Sequence, residues 1–161
     1  MSPKSPGSIV QLKIILRESD PAIWRRVQVS ERLTLAKLHQ IIQIVMGWTN
    51  SHLHEFEIGT KRYSDPDFDM DEYAEEEEEP VSDEKKYRLA DILRKATEFE
   101  YRYDFGDGWR HQILVEKYFS AEEEMTYPIC IGGATMPKRL EIVTILAAGS
   151  RSSIGRKSCE P

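Results

Sequence analysis

The feature that most constrains the fold is an alternation of aromatic and charged residues that leads into a glycine-rich turn. Between Phe99 and Phe105 every second residue is aromatic, and the residues between them are charged. This period of two is typical of a β-strand with one aromatic face and one charged face. The segment Gly106-Asp107-Gly108 tolerates positive φ, and residues 109–115 can form the return strand. The sequence therefore predicts a β-hairpin over residues 99–115.

The N-terminal part of the chain predicts a second hairpin. Every second residue from Val10 to Leu16 is apolar, and most of the residues between them are polar, which indicates a half-buried strand over residues 9–17. Turn residues follow at positions 18–21, and residues 23–29 can return as the partner strand. We expect Ile23, Val27 and Val29 on one side of that partner strand.

A helix is predicted after this hairpin. Thr34 can cap it, apolar residues from Leu35 to Val45 recur at a spacing of three to four, and Gly47 can end it. His39 lies on the apolar face of this helix. It is interpreted either as a histidine at the core edge that hydrogen bonds to a backbone carbonyl or as a site residue.

Four side chains could hold a metal ion. His52 and His54 are two residues apart on a predicted strand over residues 52–58, so they share one face. Two such histidines can bind one zinc or manganese ion if further ligands approach, and the central hairpin offers Asp104 and His111, with Asp107 nearby. The alternative is that His52 and His54 bind no metal and form structural hydrogen bonds on the strand.

Charge is distributed unevenly along the chain. The net charge of the chain is −6, but residues 65–84 contain twelve acidic and no basic side chains. The rest of the chain has 22 basic and 28 − 12 = 16 acidic side chains, which gives a net charge of +6. The carboxylates of the five consecutive glutamates at positions 75–79 repel one another. We therefore expect residues 64–86 to form a flexible, solvated insertion. The basic residues form no block, which permits nucleic acid as a partner without indicating it.

Length and composition limit the class of protein. The 161 residues are enough for one domain, and no apolar run approaches the ~20 residues that span a bilayer. The two cysteines, Cys130 and Cys159, are too few for a disulfide framework. We therefore expect a cytoplasmic protein with no membrane partner.

Several short motifs follow one another over residues 9 to 133 or so. They are Pro21-Ala22-Ile23-Trp24-Arg25-Arg26, Leu38-His39 with Ile42-Gln43, Met46-Gly47-Trp48, His52-Leu53-His54-Glu55-Phe56, Tyr103 to His111, and Tyr127-Pro128-Ile129-Cys130 with Gly132-Gly133. In order and spacing these motifs resemble the plasmid pRiA4b ORF-3-like family. Because the family has no known biochemical function, the resemblance implies membership but no activity.

The C-terminal part departs from that resemblance. The family typically continues with Pro-Pro-Glu-Asp and Gly-Gly segments, whereas this chain has a different sequence from Ala134 to Leu140. A shifted reading frame could encode a sequence close to the family pattern, so we hypothesise a frameshifted or truncated end, which sequencing of the coding DNA would test. The predicted division is one domain over residues 1–133 and an atypical, disordered tail over residues 134–161.

Together these elements predict an α+β domain. We expect a mainly antiparallel sheet built of hairpins, with one principal helix packed across it, and a β-grasp-like arrangement is one version of this fold.

Three functions fit the sequence. The first is a non-catalytic module that binds a protein, because exposed aromatic side chains offer contact area. The second is a metal-dependent hydrolase or nuclease that uses the His/Asp cluster, and the third is a nucleic-acid-binding accessory protein. No catalytic residue is assigned, and no cofactor is expected unless a divalent metal binds. The candidate binding surface comprises Trp24, His39, Trp48, Tyr103, Asp104, Asp107, Trp109 and His111.

Overall fold

A computed structural model describes residues 8–67 and 80–134, together with the backbone of a short strand at 140–141. The strands are β1 (Ser8–Leu16), β2 (Trp24–Ser30), β3 (His54–Ile58), β4 (Lys61–Ser64), β5 (Val81–Asp83), β6 (Glu98–Tyr103), β7 (Trp109–Ser120), β8 (Ile129–Gly133) and β9 (Leu140–Glu141). The described ranges contain two α-helices, α1 (Leu35–Met46) and the short α2 (Leu89–Leu93), and residues Glu84–Lys86 form a 3-10 helix.

The nine strands in the described part of the chain belong to one sheet, in the order β5-β4-β3-β6-β7-β1-β2-β8-β9. The predicted fold class, a sheet of hairpins with one principal helix packed across it in a β-grasp-like arrangement, is therefore wrong. The molecule is dominated by one large mixed sheet, and α1 is the only α-helix longer than five residues in the described part of the chain.

Two strands explain the difference. β5 lies within the segment that the acidic composition assigns to a flexible insertion, and it pairs in parallel with β4. β7 continues to Ser120, past the predicted end of the central hairpin, and pairs with both β6 and β1. The N-terminal hairpin and the central hairpin are thereby joined into a single sheet.

The N-terminal hairpin forms as predicted. β1 and β2 pair in antiparallel register, and Val10, Leu12 and Ile14 are fully buried. Ile23, expected on the same side of the second strand as Val27 and Val29, precedes β2 and is 38% exposed. The inner side instead includes the buried Arg25, whose Nε donates to the backbone carbonyl of Val45 at 3.0 Å. Val45 lies in the last turn of α1, where the helix dipole is negative, so the positive charge of Arg25 is stabilised there.

Helix α1 also follows the prediction. The Thr34 hydroxyl accepts a hydrogen bond from the Lys37 amide at 3.2 Å, and Gly47 ends the helix with φ of 78°. A left-handed residue at this position is usual for glycine and lets the Trp48 amide donate back to the Gln43 carbonyl at 2.9 Å. The buried face of α1 carries two polar residues, His39 and Gln43, among the apolar ones.

The inner face of the sheet is organised in rows across the strands. One row contains Phe56, Tyr101 and His111, which are register partners on β3, β6 and β7. The next row towards the hairpin turn contains His54, Tyr103 and Trp109. The predicted alternation of the central hairpin is thus confirmed up to Tyr103, and Phe105 lies in the turn under the guanidinium of Arg102, at 4.1 Å.

Some predictions concern residues outside the described ranges. These are the flexibility of residues 68–79 and the disorder of most of the C-terminal tail. Within the ranges 8–67 and 80–134, no helix has the length and apolar character that crossing a membrane requires.

Candidate functional site

A closed set of hydrogen bonds lies between α1 and the inner face of the sheet. His39 Nδ1 is 2.7 Å from the Tyr101 hydroxyl, and His39 Nε2 is 2.8 Å from Asn50 Oδ1. Gln43 Nε2 donates to the same hydroxyl at 2.8 Å, while the Asn50 amide donates to Gln43 Oε1, also at 2.8 Å. An amide oxygen can only accept, so His39 Nε2 carries a proton and donates it in a hydrogen bond to Asn50 Oδ1. His39 Nδ1 then accepts from the Tyr101 hydroxyl, and the imidazole is neutral.

A second histidine extends this set. The ring of His54 stacks on that of His39, with centroids 3.4 Å apart and planes within 6°. His54 Nε2 is 2.7 Å from Glu84 Oε2, and both side chains are almost fully buried. The Ser64 hydroxyl donates to the His54 backbone carbonyl. We call His39, Gln43, Asn50, His54, Glu84 and Tyr101 the polar core network.

Burial sets the protonation of this region. Desolvation, followed by the nearby His54, lowers the pKa of His39 to about 3. Desolvation also lowers the pKa of His111 to about 4 and raises the pKa of the Tyr101 hydroxyl well above its usual value. Both imidazoles are therefore neutral at neutral pH.

His111 anchors a tryptophan. Its Nδ1 lies 3.1 Å from the Tyr101 carbonyl, and its Nε2 accepts a hydrogen bond from the Trp48 indole at 3.2 Å. Both ring nitrogens are thus engaged in one tautomer, with the proton on Nδ1. This contact holds Trp48 over the end of the sheet.

Beside Trp48 the molecule presents an aromatic surface. The Trp48 ring contacts Trp109 at a centroid distance of 5.6 Å and Tyr103 at 5.4 Å. Trp109 is 39% exposed, whereas Tyr103 is buried and its hydroxyl accepts from the Ser51 amide at 2.9 Å. The His52 ring meets the Tyr103 ring edge-on at 5.8 Å. We call Trp48, His52, Tyr103, Asp104 and Trp109 the hairpin-tip patch.

Asp104 shapes the turn of the central hairpin. It has a positive φ of 61°, its amide donates to the Leu53 carbonyl at 2.8 Å, and its Oδ1 accepts from the amides of Gly106 and Asp107 at 3.2 and 3.4 Å. Its Oδ2 is 3.6 Å from His52 Nε2. Asp104 therefore stabilises the turn through its own side chain, and Asp107 lies exposed at the tip.

The four predicted metal ligands are not gathered around one point. His52 and Asp104 are neighbours, but His54 pairs with Glu84, and His111 binds Trp48 and a backbone carbonyl. His52 also precedes β3 and so lies outside the strand on which it was expected to share a face with His54. In the described ranges, no group of three or more His, Cys, Asp or Glu side chains is placed to hold a metal ion.

Trp24 is separated from the other candidates. It lies on the outer face of the sheet, where Lys13 and Arg26 approach its ring at 4.7 and 4.9 Å. Arg26 is also bound by Glu116 at 2.6 and 3.0 Å, which raises the pKa of Arg26 and lowers the pKa of Glu116. The predicted surface thus divides into this outer-face tryptophan, the buried His39 and His111, and the side chains at the hairpin tip.

Sequence reasoning did not identify four members of the polar core network as site residues: Gln43, Asn50, Glu84 and Tyr101. Gln43 follows His39 by four positions on an otherwise apolar helix face, so a pairing could have been inferred from helix periodicity. Glu84 stands at the end of an acidic run, and nothing local distinguishes it from the solvated glutamates before it.

The comparison with known proteins agrees with the resemblance of the motifs. The family model described as plasmid pRiA4b ORF-3-like protein matches residues 8–139. The chain belongs to this family. A family relative, the uncharacterised protein y4hQ of Sinorhizobium fredii, is 39% identical over 117 residues, which cover 71% of this chain and 57% of the relative. The chain thus spans little more than half the length of that relative.

A solved structure resembles the pRiA4b ORF-3-like chain as well. It is the crystal structure of a protein of unknown function, MM3350, from Methanosarcina mazei Go1, with a TM-score of 0.68 and 34% sequence identity. The similarity covers 81% of this chain and 72% of the archaeal one. The family and both relatives are without an assigned function, so the chemistry of the site carries the functional argument.

Proposed function

We propose that this chain is a non-catalytic binding module for a protein partner and that the hairpin-tip patch is its contact surface. The observation that carries the proposal is the 39% exposure of Trp109, a large apolar side chain that packs against a second tryptophan, Trp48, at the end of the sheet. Tryptophan contributes strongly to protein interfaces because it buries a large area at little cost in side-chain entropy.

The surroundings of Trp109 support the proposal. Trp48 is held by His111, the Ser51 amide is bound by the Tyr103 hydroxyl, and Asp104 fixes the turn. A surface held in this way loses little conformational freedom when a partner binds, which favours affinity.

The hydrolase alternative receives less support. His39, His54 and His111 are all buried within hydrogen-bonded arrangements, and the low pKa values of His39 and His111 make them poor proton acceptors at neutral pH. His52 is exposed and lies near Asp104, but the described contacts of this pair include neither a third metal ligand nor a nucleophile.

The nucleic-acid alternative also receives less support. Arginines that could contact phosphate are bound by carboxylates on the outer face of the sheet. Arg62 pairs with Glu55 at 2.7 Å, and Arg110 pairs with Glu100 at 2.9 Å.

Partner capture tests the proposal. Tagged wild-type protein, Trp109→Ala and Tyr118→Ala would be incubated with lysate of the source organism, and bound proteins would be quantified by mass spectrometry. Tyr118 is a matched control because it is an exposed aromatic residue, 51% accessible, on the same strand, β7. We expect the wild type and Tyr118→Ala to retain one common partner and Trp109→Ala to lose it by tenfold or so, about 1.4 kcal/mol.

Equal recovery of the same partner by all three proteins would contradict the proposal. Stoichiometric zinc or manganese in protein purified without a histidine tag would instead favour the hydrolase alternative.

A further inference from the structure

We propose that the hairpin-tip patch recognises a basic side chain, lysine or arginine, on the protein partner. This inference rests on the proposed function and names the chemistry of the partner. Its basis is the placement of an exposed tryptophan beside a turn that carries two carboxylates, those of Asp104 and Asp107.

The aromatic part of the patch suits a cation. The negative face of an indole ring attracts ammonium and guanidinium groups, and tryptophan does so more strongly than other side chains. Trp48 packs against one part of Trp109 with the rings inclined at 33°, while the exposed fraction of Trp109 remains open to a ligand. The aliphatic stem of a lysine or arginine can cover this apolar surface while its charged end reaches the rim.

The two carboxylates belong to the turn that leads into Trp109. Asp107 is exposed at the turn, two positions before Trp109, and Asp104 directs Oδ2 towards the side of the patch where His52 lies. The turn is held by the Asp104 Oδ1 contacts and by the hydrogen bond from the Gly108 amide to the Asp104 carbonyl at 2.5 Å. Both acidic groups are therefore presented on a defined backbone rather than on a free loop.

The basic residues next in sequence face the other way. Arg102 and Arg110 are register partners that alternate with the inward residues of β6 and β7, so they point to the outer face. Arg102 covers Phe105 there, and Arg110 pairs with Glu57 and Glu100. The arginines of this hairpin thus point away from the face that carries Trp109.

Titration with a matched pair of peptides tests the inference on the full chain. One probe is the acetylated and amidated pentapeptide Gly-Gly-Lys-Gly-Gly, and the other has norleucine in place of lysine, which keeps the stem and removes the charge. The readout is the indole N–H resonance of Trp109 in ¹H–¹⁵N spectra, with Trp24 on the outer face as an internal reference. We expect saturable shifts at Trp109 and a roughly fivefold preference for the lysine peptide.

Two variants identify the groups responsible. Asp104→Asn and Asp107→Asn combined should remove most of that preference, because asparagine keeps the hydrogen-bond acceptor and tolerates the left-handed backbone of Asp104. Glu122→Gln removes one exposed carboxylate outside the patch and should leave the preference unchanged.

Equal binding of the two peptides, or equal shifts at Trp24 and Trp109, would overturn the inference. Loss of the lysine preference in Glu122→Gln to the same extent would do so too, because it would indicate an effect of overall charge. If the peptides show no preference while Trp109→Ala still loses its captured partner, the cation inference fails and the proposed function stands. If Trp109→Ala captures as the wild type does, the proposed function itself fails.

Discussion

The hydroxyl of Tyr101 joins helix α1 to the sheet, since it lies within hydrogen-bond distance of both His39 and Gln43. Removing it in Tyr101→Phe leaves two buried polar atoms without this partner at almost unchanged volume. An unsatisfied buried group costs about 1–3 kcal/mol, so we expect the free energy of unfolding to fall by roughly 2 kcal/mol in urea denaturation.

Tyr103→Phe is the matched control for that variant. The Tyr103 hydroxyl accepts one hydrogen bond, from the amide of Ser51. Ser51 is exposed, so its amide can donate to water when the hydroxyl is removed. We expect a loss of about 1 kcal/mol or less. Equal losses in the two variants would show that the polar core network contributes no more than one partly exposed hydrogen bond.

Gly133 tests the fit between β2 and β8. A Cβ there would lie 2.7 Å from the Trp24 carbonyl oxygen and 2.9 Å from Cδ of Arg25, closer than atoms normally approach. We expect Gly133→Ala to lower the free energy of unfolding by about 1–3 kcal/mol. The neighbouring Gly132→Ala is the control, because its Cβ would meet nothing nearer than 3.7 Å. A neutral Gly133→Ala would place the two strands further apart than described.

At the scale of elements, the contact between α1 and the sheet depends on neutral histidines. The folded chain holds the pKa of His39 at about 3 and that of His111 at about 4, against 6.5 for the ordinary side chain. The unfolded chain therefore binds more protons as the pH falls below 6.5, and stability declines. For each histidine, the free energy of unfolding falls by up to about 1.4 kcal/mol per pH unit until the pH reaches the pKa of that histidine in the folded chain.

Urea denaturation between pH 7.5 and pH 5 would measure this decline, and most carboxylates stay ionised over that range. Imidazole resonances of the folded protein provide the site-specific check, because those of His39 and His111 should not titrate above pH 5. A stability that is constant across the range, or titration of either ring near pH 6.5, would contradict the assignment of buried neutral histidines.

Elements defined by local signals could be predicted from the sequence. Helix α1 was predicted because its cap, its apolar spacing and its terminal glycine lie within fourteen residues of one another, from Thr34 to Gly47. β5 could not be predicted, since Val81–Asp83 follow an acidic run and become a strand through pairing with β4. The far end of β7 likewise gains its structure from β1, which is distant in sequence.

The same distinction applies to the candidate site. The central hairpin and most of its side-chain alternation follow from period-two patterning, so the placement of Tyr101, Tyr103 and Trp109 on one side was predictable. Which histidines would be buried was not, because that depends on where α1 and Glu84 lie against the sheet. The placement of Asn50 likewise requires the path of the loop after α1.

At the scale of the whole molecule, the large mixed sheet carries buried polar groups on its inner face and exposed side chains at the tip of the central hairpin. His39 on α1 binds Asn50, and His111 on the inner face of the sheet binds Trp48, so the two histidines fix the loop over residues 47–53. Trp109, which packs against Trp48, stays 39% exposed. The division between a domain at residues 1–133 and an atypical tail stays a prediction. The proposed function requires the hairpin-tip patch to be a contact surface.

Site-specific photo-cross-linking in the source cells tests that claim most directly. A benzophenone amino acid would be placed at Thr49 in one protein and at Tyr118 in another. Both positions are exposed, and Thr49 follows Trp48 without belonging to the hairpin-tip patch or the polar core network. We predict a discrete cross-linked protein from position 49, lost when Trp109→Ala is added, and none from position 118. The same cross-linked product from both positions, or its persistence in Trp109→Ala, would contradict the proposed contact surface.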